Sequence, residues 1–135
     1  MRNLLLMALL AIAVPAGASD WVLVVVSTDG AIAVHADPAS ISRSGYSVKM
    51  ASLLNYKKSH VMEGKPYLSY RSQDEYNCSI GSMRTLSTTF YAQGMGEGEV
   101  VGGENTPNAK FQPFAADSLD SSLWEFACAT HASGP

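Results

Sequence analysis

The sequence predicts an α+β fold, in which a series of β-strands is followed by a single C-terminal helix. Apolar and polar residues alternate along most of the chain, as they do in half-buried strands. Near the C-terminus the apolar spacing changes to that of an amphipathic helix. The only two cysteines, Cys78 and Cys128, stand in the strand region and in the predicted helix. A bond between them would tie the helix to the sheet.

The first 18 residues have the three regions of a secretory signal peptide. Arg2 gives a positive start, residues 4–14 are an unbroken apolar run, and Ala16-Gly17-Ala18 supplies the small residues that signal peptidase recognises. This run is shorter than the about 20 residues that span a bilayer. We therefore predict a signal peptide at 1–18 and one exported domain at 19–135. The domain is expected in the periplasm, at the cell surface or secreted, without a lipid anchor or transmembrane segment.

Charge and motif content argue against several classes of protein. The chain of 135 residues carries nine Lys+Arg against twelve Asp+Glu, and loss of Arg2 with the signal leaves eight against twelve. A nucleic-acid-binding domain needs clustered basic residues. His35, His60 and His131 share no metal-ligand spacing, and no Gly-x-Ser-x-Gly motif is present. We expect no nucleic-acid partner, no metal, no cofactor and no catalytic residues.

The two cysteines are expected to form a structural disulfide, because exported proteins fold in an oxidising compartment. They are 50 positions apart and lack the Cys-x-x-Cys spacing of a redox pair. A redox-active pair is therefore the weaker alternative.

The N-terminal half predicts three strands. Residues 21–27 are almost entirely apolar, which predicts a strand buried on both sides near the centre of its sheet. Asp29-Gly30 predicts a turn. Residues 31–37 predict a second strand that ends at Pro38, which has no N–H to donate to a neighbour. Residues 46–56 alternate and predict a long third strand.

The middle of the chain predicts three further strands, with a polar hairpin loop at 57–66 before them. Their ranges are 67–78, 83–92 and, more briefly, 99–101. Gly94 to Gly98 resembles a phosphate-binding loop, but its glutamates would repel a polyanion and no helix follows. We interpret it as a Gly-bent β-bulge or a tight connection between strands.

The C-terminal segment predicts the helix. Asp117 or Ser118 can cap it, and Asp120 lies in the acidic first turn. Its apolar face is spaced helically: Leu119, Leu123, Phe126 and Ala127. Asp117 with Asp120, and Asp74 with Glu75, could supply paired carboxylates. Solvated charge or helix capping is the preferred interpretation of both pairs.

The basic residues after the signal concentrate in one region, at Lys57, Lys58, Lys65 and Arg71. Loops often carry binding function, and charges steer the encounter with an oppositely charged partner. These four residues are the candidate partner-binding site. The alternative is a solvated hairpin tip that prevents edge-to-edge aggregation.

Several short motifs in order resemble the surface-adhesin protein E family of exported bacterial proteins. They extend from Trp21 to about Ala129 and are Trp21, Asp37-Pro38-Ala39-Ser40-Ile41, Val48 through Leu54-Asn55-Tyr56-Lys57, Tyr76-Asn77-Cys78, Arg84, Tyr91, Gly94-Met95-Gly96-Glu97-Gly98, and Ala116 through Leu123 to Cys128.

The resemblance implies a roughly six-stranded antiparallel sheet, with the C-terminal helix tied to its concave face by the disulfide. It also implies a non-enzymatic binding module that attaches to a protein partner. The family's founding member binds host extracellular proteins such as vitronectin and laminin and forms dimers, so host matrix or serum proteins and a second copy of this chain are the expected partners.

Two alternatives to an adhesin-like module remain open from the sequence. One is a periplasmic structural or stress-related protein without a host ligand. The other is a small hydrolase, which would need a concave pocket with His35 or His60 beside a carboxylate.

Overall fold

A computed structural model describes residues 20–130 of the chain. The predicted signal peptide at 1–18 and His131 lie outside the described residues. Six strands pair in chain order as an antiparallel meander. A seventh strand of two residues pairs with the N-terminal end of the fifth strand. The bounds are Val22–Val26 (β1), Ile32–Ser44 (β2), Ser47–Met62 (β3), Lys65–Asn77 (β4), Ser82–Tyr91 (β5), Val100–Asn105 (β6), Gln112–Pro113 (β7) and Leu119–Thr130 (α1).

This architecture confirms the predicted sheet, the single C-terminal helix and the disulfide. Cys78 follows β4 and bonds Cys128 near the end of α1, with a Cα–Cα distance of 5.6 Å. Because one helix accompanies six strands and the short β7, the described chain is mostly sheet, and the α+β class describes it only approximately.

The core lies between α1 and one face of the sheet, which we call the helix face. Alternate residues of β2, β3 and β4 point toward the helix, and Val34, Met50 and Tyr76 are almost completely buried there. The helix contributes Leu123 and Ala127, which are spaced so that they lie on one side of it. Burial of this apolar surface stabilises the domain.

The start of α1 is fixed by its cap. The Ser118 hydroxyl oxygen accepts a hydrogen bond from the Ser121 amide at 3.1 Å. This confirms Ser118 as the capping residue. Further along α1, the Trp124 indole N–H donates to the Asn77 carbonyl at 2.8 Å, next to the disulfide.

The opposite side of the sheet, the outer face, is partly covered by the connection between β5 and β6. Met95 and Gly96, within a single 3₁₀ turn, both have positive φ. The Met95 amide donates to Asn55 Oδ1 at 2.7 Å, and the Gly96 amide donates to Ser69 Oγ at 2.9 Å. The predicted tight connection is confirmed.

The predicted central position of the first strand is wrong. β1 pairs only with β2 and is therefore an edge strand of the described sheet. Val22 and Leu23 remain 43% and 56% exposed. An unbroken apolar run does not distinguish a strand covered on both faces from one at an edge.

The predicted end of the second strand at Pro38 is also wrong, because β2 continues to Ser44. The register with β3 shifts between Asp37 and Ser42, so Pro38 lies in an irregularity where no ladder hydrogen bond requires its nitrogen. The Ser40 hydroxyl accepts from the Ala51 amide at 2.8 Å and holds the two strands together there.

The hairpin between β3 and β4 is much tighter than the loop predicted at 57–66. Both strands extend to a two-residue turn at Glu63 and Gly64, which both have positive φ. Two such residues fit the type I′ turn, whose twist matches that of the strands it joins. Lys57 and Lys58 consequently lie in β3, where its register shifts between Asn55 and His60.

Candidate functional site

A cluster of aromatic rings extends beyond the first turn of α1, toward the β3–β4 hairpin. The Tyr56 and His60 ring centroids are 3.8 Å apart, and Tyr67 contacts Tyr56 at 5.9 Å and Phe90 at 5.0 Å. Tyr70 packs on Phe90 at 5.4 Å. The tyrosines and Phe90 are only partly buried, and His60 is exposed. We call these five residues the ring cluster.

A groove of about 400 Å³ runs along the edge of the ring cluster. Tyr56 and His60 form part of its wall, and Lys57 and Lys58 lie beside them. The groove therefore combines aromatic surface with two exposed cations. Aromatic residues are enriched at protein interfaces, and exposed charge steers an oppositely charged partner.

The other two candidate binding residues lie in β4 and are not part of this groove. Lys65 is exposed at the start of β4, opposite Met62 and next to the hairpin turn. Arg71 is on the outer face, where its guanidinium lies 5.9 Å from the centroid of the Trp21 ring. The β3–β4 hairpin carries all four cations, but Arg71 and the two groove lysines line different surfaces.

Of the two histidines that the hydrolase alternative names, His60 lies in a groove beside a carboxylate, that of Asp29. His35 pairs with Leu53 in the sheet, and burial lowers its pKa. The Asp29 carboxylate, however, accepts hydrogen bonds from the Ser27 hydroxyl at 2.7 Å and the Ala31 amide at 3.0 Å. Within the described residues, the lining of that groove includes no serine, threonine or cysteine to act as nucleophile.

The interpretation of Asp74 and Glu75 as solvated charge is wrong, because both are buried. Glu75 on the outer face forms a salt bridge with Arg84 at 2.6 Å. Asp74 on the helix face accepts hydrogen bonds from hydroxyl groups of its own strand and of both neighbouring strands, namely Ser72, Tyr76, Ser52 and Thr85. Burial is the main cause that raises the pKa of Asp74 from its ordinary value.

The sequence offered only a partial signal for this buried carboxylate. Asp74, Ser72 and Tyr76 share the parity of the helix face, but polar residues at core positions normally indicate the exposed face of a strand. The hydroxyls that satisfy Asp74 come from three different strands. Their convergence becomes visible only once the register is known.

A family model described as surface-adhesin protein E matches residues 21–129. The chain belongs to the surface-adhesin protein E family. The match includes every element from β1 to β7 and nearly all of α1.

Solved structures of protein E have the same fold. Protein E from non-typeable Haemophilus influenzae is 18% identical, with a TM-score of 0.59 over 91% of this chain and 82% of that one. Another Haemophilus influenzae protein E structure is also 18% identical, with a TM-score of 0.58 over 81% and 83%. A comparison with curated protein sequences found no match.

Membership of the protein E family indicates an exported protein of the cell surface or envelope. In the part of the chain that the structure describes, no helix has the length and apolarity needed to cross a membrane. The family match supports an adhesin-like module.

Proposed function

We propose that this protein E family member is an exported, non-enzymatic binding module that attaches to a protein partner. The family match supports export and adhesion, and the signal peptide predicted at 1–18 is consistent with export. The partner is a host extracellular protein, of the matrix or of serum, as for the founding member of the family. The observation that carries the location of the binding surface is the pairing of the ring cluster with Lys57 and Lys58.

The chemistry of this surface favours an acidic partner with apolar or aromatic side chains. Partly exposed tyrosines provide large contact area at low cost in side-chain entropy. Lys57, Lys58 and Lys65 provide the charge that attracts the partner and orients it. We assign Arg71 to the same partner-binding role on the outer face, where its guanidinium lies within cation–π range of the Trp21 ring.

Charge reversal tests this surface. We expect the variant Lys57→Glu/Lys58→Glu/Lys65→Glu to bind immobilised vitronectin or laminin about tenfold more weakly, or worse, in biolayer interferometry. Raising the salt concentration should weaken wild-type binding in the same direction, since exposed charges are screened. Arg71→Glu, measured alone, reports the contribution of the outer face.

The control variant reverses two cations that lie elsewhere. Lys49 is exposed in β3 and Lys110 follows β6, and neither lines the groove. Lys49→Glu/Lys110→Glu should retain wild-type affinity. Equal loss of affinity in the control and test variants would show that binding depends on the net charge of the protein and not on the position of these lysines. Unchanged binding by the triple variant would refute the proposed surface.

Cellular location separates this proposal from a periplasmic role without a host ligand. An adhesin must be reachable from outside the cell, so we expect protease added to intact bacteria to digest the protein. Complete protection in intact cells, with digestion after outer-membrane permeabilisation, would defeat the adhesin proposal and favour the periplasmic one.

We further propose that a second copy of this chain pairs along β1. The outer edge of β1 pairs with no other described strand, and Val22 and Leu23 are exposed there. Such an edge is a template for strand addition. Light scattering should then show a dimer that Leu23→Lys converts to a monomer. A monomeric wild-type chain at high protein concentration would contradict this pairing.

A further inference from the structure

A cavity of about 300 Å³ lies between the helix face of the sheet and the first turn of α1. This volume is at the lower end of the range of small-molecule sites, about 300–1,000 Å³. None of its lining residues belongs to the groove beside Lys57 and Lys58, although two of them, Tyr70 and Phe90, belong to the ring cluster.

The cavity contains carboxylates at two depths. Asp74 lies on the sheet side and is only 3% exposed, whereas Asp120 in the first turn of α1 is exposed. The Asp74 carboxylate is satisfied by hydroxyl donors, with Ser72 and Thr85 each at 2.8 Å. Hydroxyl groups donate hydrogen bonds but bring no positive charge. The buried carboxylate therefore has polar partners without a counter-charge.

The wall of the cavity is aromatic and apolar on the side that continues into the ring cluster. Tyr70 and Phe90 both line it and pack on each other. The faces of such rings attract cations. Apolar side chains from the sheet and the helix, Leu54 and Leu119 among them, complete the wall.

The described lining of the cavity includes no lysine, arginine or histidine. An adjoining groove that shares Tyr70, Met83, Thr85 and Asp120 with it contains Arg84 and the exposed Lys110. Arg84 is already paired with Glu75, and its guanidinium also donates to the Ala109 carbonyl at 3.2 Å. The carboxylate side of the cavity thus carries negative charge and aromatic surface together.

We infer that this cavity binds an organic cation, an ammonium or guanidinium group on a small apolar body, with Asp74 and Asp120 as its anionic partners. The cationic head would approach the two carboxylates, where charge-assisted hydrogen bonds are strongest. The apolar body would lie against Tyr70 and Phe90. The cation can be a free amine or the side chain of a lysine or arginine in a bound peptide.

Binding of benzylammonium, followed by ¹H–¹⁵N NMR chemical shifts of the chain, tests this inference. Benzyl alcohol is the neutral control, because it has nearly the same shape without the charge. We expect benzylammonium to shift amides around Ser72, Asp74 and Asp120, and to bind about tenfold or more tightly than the alcohol. A second set of titrations uses arginine and lysine with blocked termini. Tighter binding of these probes than of benzylammonium would identify the cation as a side chain of a bound peptide.

Two carboxylate variants and one control complete the design. Asp74→Asn and Asp120→Asn should each weaken benzylammonium binding about tenfold. Asp120 is exposed, so we expect Asp120→Asn to fold. This variant tests the inference even if Asp74→Asn does not fold. Glu125→Gln, at an exposed carboxylate further along α1 that does not line the cavity, should bind like wild type.

Three outcomes would overturn the inference. These are equal binding of alcohol and ammonium, unchanged binding by the Asp120 variant, and no response to any of the cationic probes. The charge-reversal variant at Lys57, Lys58 and Lys65 should bind benzylammonium normally. Failure of the adhesin proposal and failure of the cavity proposal are therefore distinguishable.

Discussion

At the scale of single residues, buried polar side chains determine how parts of this domain are held together. Ser69 is completely buried, and its hydroxyl donates to the Gln93 carbonyl at 2.6 Å while it accepts from the Gly96 amide. One side chain thus fixes both sides of the β5–β6 connection. The sequence places Ser69 in an alternating strand, where nothing distinguishes it from a solvated serine.

Replacement of Ser69 by alanine should lower the free energy of unfolding by about 1–3 kcal/mol. It leaves the Gly96 amide and the Gln93 carbonyl, which make part-buried hydrogen bonds to Ser69, without this partner. Urea denaturation measures the change, and hydrogen exchange should show faster exchange at Gly96. Ser59→Ala on the exposed part of β3 is the control and should change stability by less than about 0.5 kcal/mol. Equal effects of the two substitutions would contradict this role.

The buried carboxylate of Asp74 should make stability depend on pH. Burial raises the pKa of Asp74 above 3.8. The Asp74 carboxyl group therefore stays protonated to higher pH in the folded chain than in the unfolded chain. The contribution of Asp74 to stability is therefore greatest at low pH and declines as pH rises from about 3.8 to the raised pKa. Each unit of pKa difference corresponds to about 1.4 kcal/mol.

Asp74→Asn removes this titration. Relative to wild type, we expect the variant to be more stable at pH 7 than at pH 3, whatever the absolute cost of the substitution. Urea denaturation at pH 3, 5 and 7 measures the difference, with the exposed Glu104→Gln as control. A stability difference that is constant with pH, or that changes in the opposite direction, would contradict the assignment.

At the scale of elements, the sequence predicted those strands and the helix whose apolar spacing is evident within a single segment of the chain. Alternation at 46–56 and 83–92 located β3 and β5, and Ser118 with Leu123 located α1. Local patterns do not report which strands are neighbours. For that reason the edge position of β1 and the continuation of β2 past Pro38 were both missed.

The candidate site was predictable only in part, for a related reason. Lys57 and Lys58 were identified because they are a local concentration of charge. The ring cluster was not, since Tyr56, Tyr67 and Phe90 come from three strands and meet only in the folded sheet.

The disulfide joins the two kinds of element, and its loss should be costly. Closing a loop of 50 residues stabilises a domain by about 4 kcal/mol in the chain-entropy model. We expect Cys78→Ser/Cys128→Ser to lower the free energy of unfolding by about that amount in urea denaturation. Wild type under reducing conditions provides the matched comparison. A loss below about 1 kcal/mol would show that packing of Leu123 and Trp124 holds the helix without the bond.

At the scale of the whole molecule, the sheet divides into a covered and an open part. The helix and disulfide cover the part around Met50 and Tyr76. The open part carries the ring cluster and the lysines of the hairpin. A protein with an overall formal charge of −3 thus presents its local positive charge beside its exposed rings.

Hydrogen-exchange footprinting of the chain with and without bound vitronectin or laminin tests the proposed binding surface most directly. If the hairpin and ring cluster form the interface, amides from Tyr56 to Tyr67 should exchange more slowly in the complex. Amides around Lys49 should be unchanged. Protection that leaves residues 56–67 unaffected, or no complex with any host extracellular protein, would contradict the account.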